Sequence, residues 1–404
     1  MAPLPVYMDY NATTPCDERV LAAMLPFFTQ HYGNAASKHH SFGWSAQAAV
    51  DIARQQVATL VGATDKEIVF TSGATEAVNL AIKGVAELYA IKGNHIITTA
   101  VEHSAVLDTC RYLEKKGIEV TYLPVDASGQ INVQELEAAI RPTTILIAAM
   151  YANNETGTIF PVKTIGAIAK QHSVLFFTDA TQAVGKLPID VVAEDIDLLA
   201  LSAHKLYGPK GVGALYIRRR NPRVQLQAQL QGGGHEQGWR SGTLNVPGIV
   251  GLGKACSLAA ESMQAENERL ILLRNRLEQG LLALPETYVN GDKQNRLSHV
   301  SNISFRYVPN QALITGVTKH IAVSSGSACA SASGQPSHVL LAMGRGNQIA
   351  RSSLRFSLGR FTTEEEVNTV IELVTATVNT IRSQDMVWQL AQKDELPDAA
   401  DWKL

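Results

Sequence analysis

The sequence predicts an α/β protein, with a large unit built on a mostly parallel sheet and a smaller α+β unit beside it. Three observations predict this. Between Glu67 and Arg218, short apolar runs alternate with helical stretches, the order that buries a parallel sheet under helices on both faces. After Gln231-Gly232-Gly233-Gly234 the alternation stops and a long, charged helical stretch begins. With 404 residues, 46% of them hydrophobic and 18% charged, the chain is long enough for two or three units with cores of their own.

In order, VYMDYNATTP reads as a short strand and a turn, and helical periodicity follows from Asp17 to Phe28. HYGNAASKHHSFG is small and polar, either a connector or a site-lining loop. Ala49, Val50, Ala53, Val57 and Leu60 give a helix from Ala46 to Val61, with Gly62 placed to end it. Strands are then expected at Glu67–Thr71, His95–Ala100, Glu119–Pro124, Thr144–Tyr151, Val174–Thr178, Leu198–Ser202 and Val212–Arg218. Helices are expected at Thr75–Leu88, Ala105–Lys116, Val133–Ile140 and Ile165–His172. A helical region broken near Pro247 spans Gly248 to Leu284. Short strands follow at Asn302–Tyr307, Ala322–Ser324 and Leu354–Ser357. Thr362-Thr363-Glu364-Glu365 opens a capped helix to about Arg382. The large sheet is complete without the first strand. The expected division is therefore 16–260 for the large unit, and 1–15 with 261–404 for the small one. KDELPDAADWKL reads as a loosely held acidic tail.

A net charge of −2 gives no general attraction to nucleic acid or anionic membranes. Arg218, Arg219, Arg220 and Arg223 form the one basic cluster, a solvated face or a docking patch. MAPLPVYMDY has no basic, then apolar, leader pattern, and no apolar run approaches the roughly 20 residues of a membrane span. A cytoplasmic chain with no membrane or direct nucleic-acid partner is expected. Cys16, Cys110, Cys256 and Cys329 are far apart and lack a Cys-x-x-Cys pair, so no metal site is expected.

The chemistry converges on the ends of two apolar strands. FFTDATQAVG delivers Asp179 and Gln182; LLALSAHKLYGPKGVG delivers Ser202, His204 and Lys205. A lysine can bind the aldehyde of pyridoxal phosphate, and a carboxylate can keep its pyridine nitrogen protonated. Lys210 is a rival, but it lies in a Gly-Pro-Lys-Gly turn, whereas Lys205 follows an apolar strand. Thr71-Ser72-Gly73-Ala74-Thr75-Glu76 joins a strand to a helix, which suits a phosphate or a plain helix cap. His103 is either a turn-capping residue or a ring that stacks on the cofactor and moves protons. Asn154 ends another strand at the same edge, and Arg355 could grip a carboxylate bidentately or form a surface ion pair. SSGSACASASG, residues 324–334, consists of small residues, so a mobile loop with a reactive Cys329 thiol is expected, and the small unit is expected to carry it over about 324–336.

TSGATEAVNLAIKG, EHSAVL, NNETG, DATQAVGKLPID, SAHKLYGPKGVGALY, GGGHEQGWRSGT and SSGSACASAS occur in that order. Together they resemble the class I cysteine desulfurases of the IscS/NifS-like type, within the aspartate aminotransferase-like fold of pyridoxal phosphate-dependent transferases. The resemblance implies a homodimer that turns L-cysteine into L-alanine and passes sulfur, as a Cys329 persulfide, to an acceptor protein for iron–sulfur clusters or thiolation. A desulfurase serving DNA phosphorothioation, a selenocysteine lyase and an aminotransferase are the alternatives. It implies Lys205 as the cofactor lysine, Asp179 as the pyridinium partner and His103 as the stacking residue. Ala74, Thr75, Ser202 and His204 would bind phosphate, and Gln182 and Asn154 the ring. Thr243 would reach the phosphate of the neighbouring subunit. Arg355 and Asn34 would hold the substrate carboxylate. SAHK in place of SGHK, Ala330 after the cysteine and His338 at an aromatic position are departures that remove no catalytic group.

Overall fold

The computed structural model describes residues 4–326 and 335–392. Its strands are β1 (Val6–Tyr7), β2 (Ile68–Thr71), β3 (His95–Thr99), β4 (Glu119–Leu123), β5 (Thr144–Ala148), β6 (Leu175–Asp179), β7 (Leu198–Ser202) and β8 (Gly213–Ile217), then β9 (Thr287–Asn290), β10 (Val300–Phe305), β11 (Ile321–Ala322) and β12 (Ser353–Ser357). Among the described residues, seven strands form the large sheet in the order β2-β8-β7-β6-β5-β3-β4. The pairs from β7 to β4 are parallel, and β8 runs antiparallel to both of its neighbours. Every residue of β5, β6, β7 and β8 is buried, as expected of a sheet covered on both faces.

Helix Ser41–Val61 buries Ala46, Val50, Ala53, Val57 and Val61 along one stripe and stops at Gly62, in the left-handed conformation at φ 72°. It packs with Phe176, Leu199 and Leu252 on one side of the sheet. Helices Ala74–Leu88 and Ser104–Glu114 cover the other side, where Val78, Ile82 and Val106 meet Ile96, Phe177 and Leu215.

The smaller core gathers β10 and β12 with Leu277, Leu281, Val370 and Val374. The antiparallel order β12-β10-β9 lies beside helix Glu364–Gln384, capped by a Thr363–Glu366 box one residue later than expected. β1 pairs in parallel with β11 and so joins this side of the molecule. β9 was not anticipated: TYVN is short and only half-buried. The break expected at Pro247 is absent. Pro247 sits in the first turn of one helix, Val246–Leu282, where its missing N–H costs nothing. This helix buries Leu252, Cys256 and Ala259 in the large core and Leu270, Leu277 and Leu281 in the small one.

Candidate active site

The parallel strands deliver their carboxyl ends to one edge, where ligands of open α/β sheets sit. β6 ends in Asp179, and β7 ends in Ser202 and turns through Ala203–Lys205. His103 precedes helix Ser104–Glu114, and Asn154 follows β5. Arg355 enters from β12, and Asn11, Ala12 and Thr13 cross between the two cores. These residues line one cavity of about 520 Å³, together with Ser72, Gly73, Ala74, Thr75, Gln182, His204 and Lys210.

Lys205 Nζ donates to the carbonyls of Asn11 at 2.5 Å and Ala12 at 2.7 Å. Lys210 also reaches the cavity, but from an exposed turn. Asp179 is 8% exposed and accepts from the Thr181 N–H at 3.0 Å, and the Thr181 hydroxyl is buried with no partner. His103 caps its helix, Nδ1 accepting from the Ala105 N–H at 3.1 Å, and the residue also lines the cavity. Accepting at Nδ1 leaves the proton of the neutral ring on Nε2. Burial is the main cause that lowers the proton affinity of His103. Burial, then Lys205 and Lys210, push His204 down to about 4, so it is neutral near pH 7. Its Nδ1 pairs with Thr13 Oγ1 at 3.1 Å.

Helix Ala74–Leu88 starts with no side-chain cap, so its first N–H groups are open to an anion. Gly73 adopts φ 153°, and a Cβ there would stand 3.7 Å from Ser202 Oγ, inside the cup. An open helix start, a hydroxyl at its rim and an amine and a carboxylate deeper in fit pyridoxal phosphate. Arg355 is 2% exposed, so it is no surface pair. Its guanidinium donates to Asp9 Oδ1 at 2.7 Å and to the Asn154 carbonyl at 3.0 Å, while its Nε has no partner.

Asn34 and Thr243 are exposed and do not line this cavity; Asn34 accepts instead from the Ala36 N–H at 2.9 Å. Cys329 lies outside the described residues. Burial pushes the Cys16 thiol up, Cys110 up to about 12 and Cys256 further, so these three are poor nucleophiles.

Asn11 was not singled out in the sequence, yet every polar group it has is engaged. Its N–H donates to Ser357 Oγ at 2.9 Å and its Nδ2 to the Asn154 carbonyl at 3.0 Å. Its Oδ1 meets His299 Nε2 at 2.8 Å. Its carbonyl accepts from Gln182 Nε2 at 3.0 Å as well as from Lys205. Its partners lie up to 346 positions away, so no local signal could have revealed it.

Residues 6–370 match the aminotransferase class-V family. The chain belongs to the aminotransferase class-V family. Pyridoxal phosphate is the cofactor of this family, in keeping with the cavity's fit. A protein named cysteine desulfurase IscS from Anaeromyxobacter sp. (strain Fw109-5) is 54% identical over 400 residues, covering 99% of this chain and 98% of the relative. A solved NifS-like protein superposes with a TM-score of 0.87 at 38% identity, covering 93% of this chain and 100% of its own. The structure described as SspA in complex with cysteine gives a TM-score of 0.77 at 39% identity, covering 88% and 99%. Among the described residues of this family member, no helix is long and apolar enough to cross a membrane.

Proposed function

We propose that the chain is a pyridoxal phosphate-dependent cysteine desulfurase, converting L-cysteine to L-alanine and carrying the sulfur as a persulfide on Cys329. The observation that carries this reading is the convergence of Lys205, Asp179, His103 and Arg355 on one cavity, in a chain so similar to proteins named cysteine desulfurase. The cofactor, when bound, supplies an electron sink for the pair released at the substrate's α-carbon.

The chain's own residues do the rest. Lys205 would tether the cofactor and carry the α-proton; its free amine is held by the Asn11 and Ala12 carbonyls. Asp179 would keep the pyridine nitrogen protonated. His103 would lie against the ring and pass a proton from Nε2. The backbone at Ala74 and Thr75, with Ser202 and His204, would take the phosphate. Gln182 and Asn154 would meet the ring. Asp9 and the Asn154 carbonyl fix the Arg355 guanidinium at the cavity wall, where it would meet a substrate carboxylate.

The Cys329 thiolate attacks the substrate sulfur. A sulfur–sulfur bond forms, the carbon–sulfur bond breaks, and its electron pair stays on carbon and takes up a proton. Sulfur is oxidised and the carbon becomes the methyl group of alanine. The persulfide then passes to an acceptor protein for iron–sulfur clusters or thiolation, in the cytoplasm. The protein works as a homodimer, and the exposure of Thr243 leaves it available to a second copy's phosphate site. Among the described residues, Asn34 stands outside the wall of the cavity. Residues 16–260 serve as the cofactor-binding unit, with 1–15 and 261–404 as the unit bearing Cys329.

The test uses two variants. Lys205→Ala should lose the visible absorbance of the bound cofactor. Cys329→Ala should keep it but release no sulfide from cysteine. Sulfide release at the parent rate from Cys329→Ala would overturn the persulfide step and favour lyase or aminotransferase chemistry.

A further inference from the structure

A second lysine stands behind the site. Lys186 follows Gly185 on the turn after β6, and its Nζ donates to Gln182 Oε1 at 3.0 Å. Gln182 Nε2 donates to the Asn11 carbonyl at 3.0 Å, and the same carbonyl takes Lys205 Nζ at 2.5 Å. The partners settle which way the Gln182 amide faces. An ammonium only donates and a carbonyl only accepts, so the oxygen must face Lys186 and the nitrogen Asn11. The two lysines also share the wall of a void of about 20 Å³, room for roughly one water.

The surroundings of Lys186 offer it little negative charge. The charges of Lys205, on the turn after β7, and of Arg355, on β12, act on it, and His204 and His299 feel its charge. Burial pushes both histidines down, which leaves them neutral near pH 7. Glu266, on the wall of the shared void, is taken by Arg360 at 2.6 Å. Part of Lys186 reaches solvent, yet burial is the largest influence on its amine and, with Lys205 and Arg355, pushes it down to about 7.

We propose that Lys186 is a positioning residue for the cofactor lysine: its charge weakens the hold of the Lys205 nitrogen on a proton, and its bond to Gln182 aims that amide's N–H at the Asn11 carbonyl that also holds Lys205. A neighbouring cation disfavours a second positive charge, and the sheltered position limits screening by water. The effect belongs to pH values near and below about 7, where Lys186 is charged. This inference rests on Lys205 as the lysine that binds pyridoxal phosphate.

The experiment loads the parent protein, Lys186→Met and Lys186→Arg with pyridoxal phosphate and follows the visible absorbance against pH, without substrate. In Lys186→Met the titration midpoint should rise by on the order of one pH unit. Lys186→Arg should stay near the parent. Lys186→Gln gives the same reading if Lys186→Met does not fold. An unmoved midpoint in a neutral variant that binds the cofactor fully overturns the proposal. So does failure of both neutral variants to bind it, which would make Lys186 a packing residue. A visible band that survives Lys205→Ala is a different failure, that of the site reading itself.

Discussion

Glu102 lies beside His103 and is 1% exposed, with its carboxyl accepting from Thr99 Oγ1 at 2.9 Å and the Met150 N–H at 2.8 Å. Burial, with Asp179 adding to it, pushes this carboxyl up to about 8. An unfolded glutamate loses its proton near pH 4.3, so the folded state binds more protons between about 4 and 8, and stability falls as pH rises through that window. Glu102→Gln keeps both accepted bonds and has no charge to bury. It should be more stable than the parent by on the order of 2 kcal/mol at pH 8, with the gain vanishing near pH 4. Melting temperatures at the two pH values check this; equal gains at both would refute it. The same reasoning explains why roles were unevenly legible in the sequence. Asp179 ends an apolar strand and Lys205 closely follows one, which is visible locally. Glu102, Asn11 and Lys186 depend on groups that only the fold brings near.

At the scale of elements, the proposed phosphate cup depends on how closely β8 approaches the start of helix Ala74–Leu88. A Cβ on Gly213 would lie 2.5 Å from the Leu201 carbonyl oxygen and 2.8 Å from the Gly73 backbone. Neither backbone atom can yield cheaply, so Gly213→Ala should push β8 from β7 and splay the cup. Cofactor affinity should fall at least roughly tenfold, about 1.4 kcal/mol, in equilibrium dialysis. Retained affinity would show that the cup tolerates the shift. The strands of the large sheet were legible because buried apolar runs between helices leave few other readings. Pro247 misled because a proline that starts a helix and one that breaks it look alike without the fold. The antiparallel direction of β8 depends on which neighbours it joins, information that composition does not carry.

Across the whole molecule, Arg360 ties the two cores. It donates to Asp17 Oδ2 at 2.7 Å and Glu266 Oε1 at 2.6 Å, and lies 4.2 Å over the Tyr207 ring. Hydrogen bonds from Arg19 first, with Arg360 contributing, hold the Asp17 carboxyl far below its usual range. Its contribution is complete above about pH 4 and is lost as pH falls toward its folded value. Arg360→Met leaves Glu266 without its cation and Asp17 with Arg19 alone, and should cost about 2 kcal/mol at pH 7 by denaturant unfolding. The deficit should shrink in acid; a loss under about 0.5 kcal/mol would mean the tie is ornamental. Helix Val246–Leu282 works alongside this tie, since one rod is embedded in both cores. Such an axle forbids the halves from swinging apart without breaking packing at one end. The spacing between the amine on β7's turn and the guanidinium on β12 is therefore built in when the chain folds, so that under the proposed function an incoming amino acid would meet a seat already cut to length.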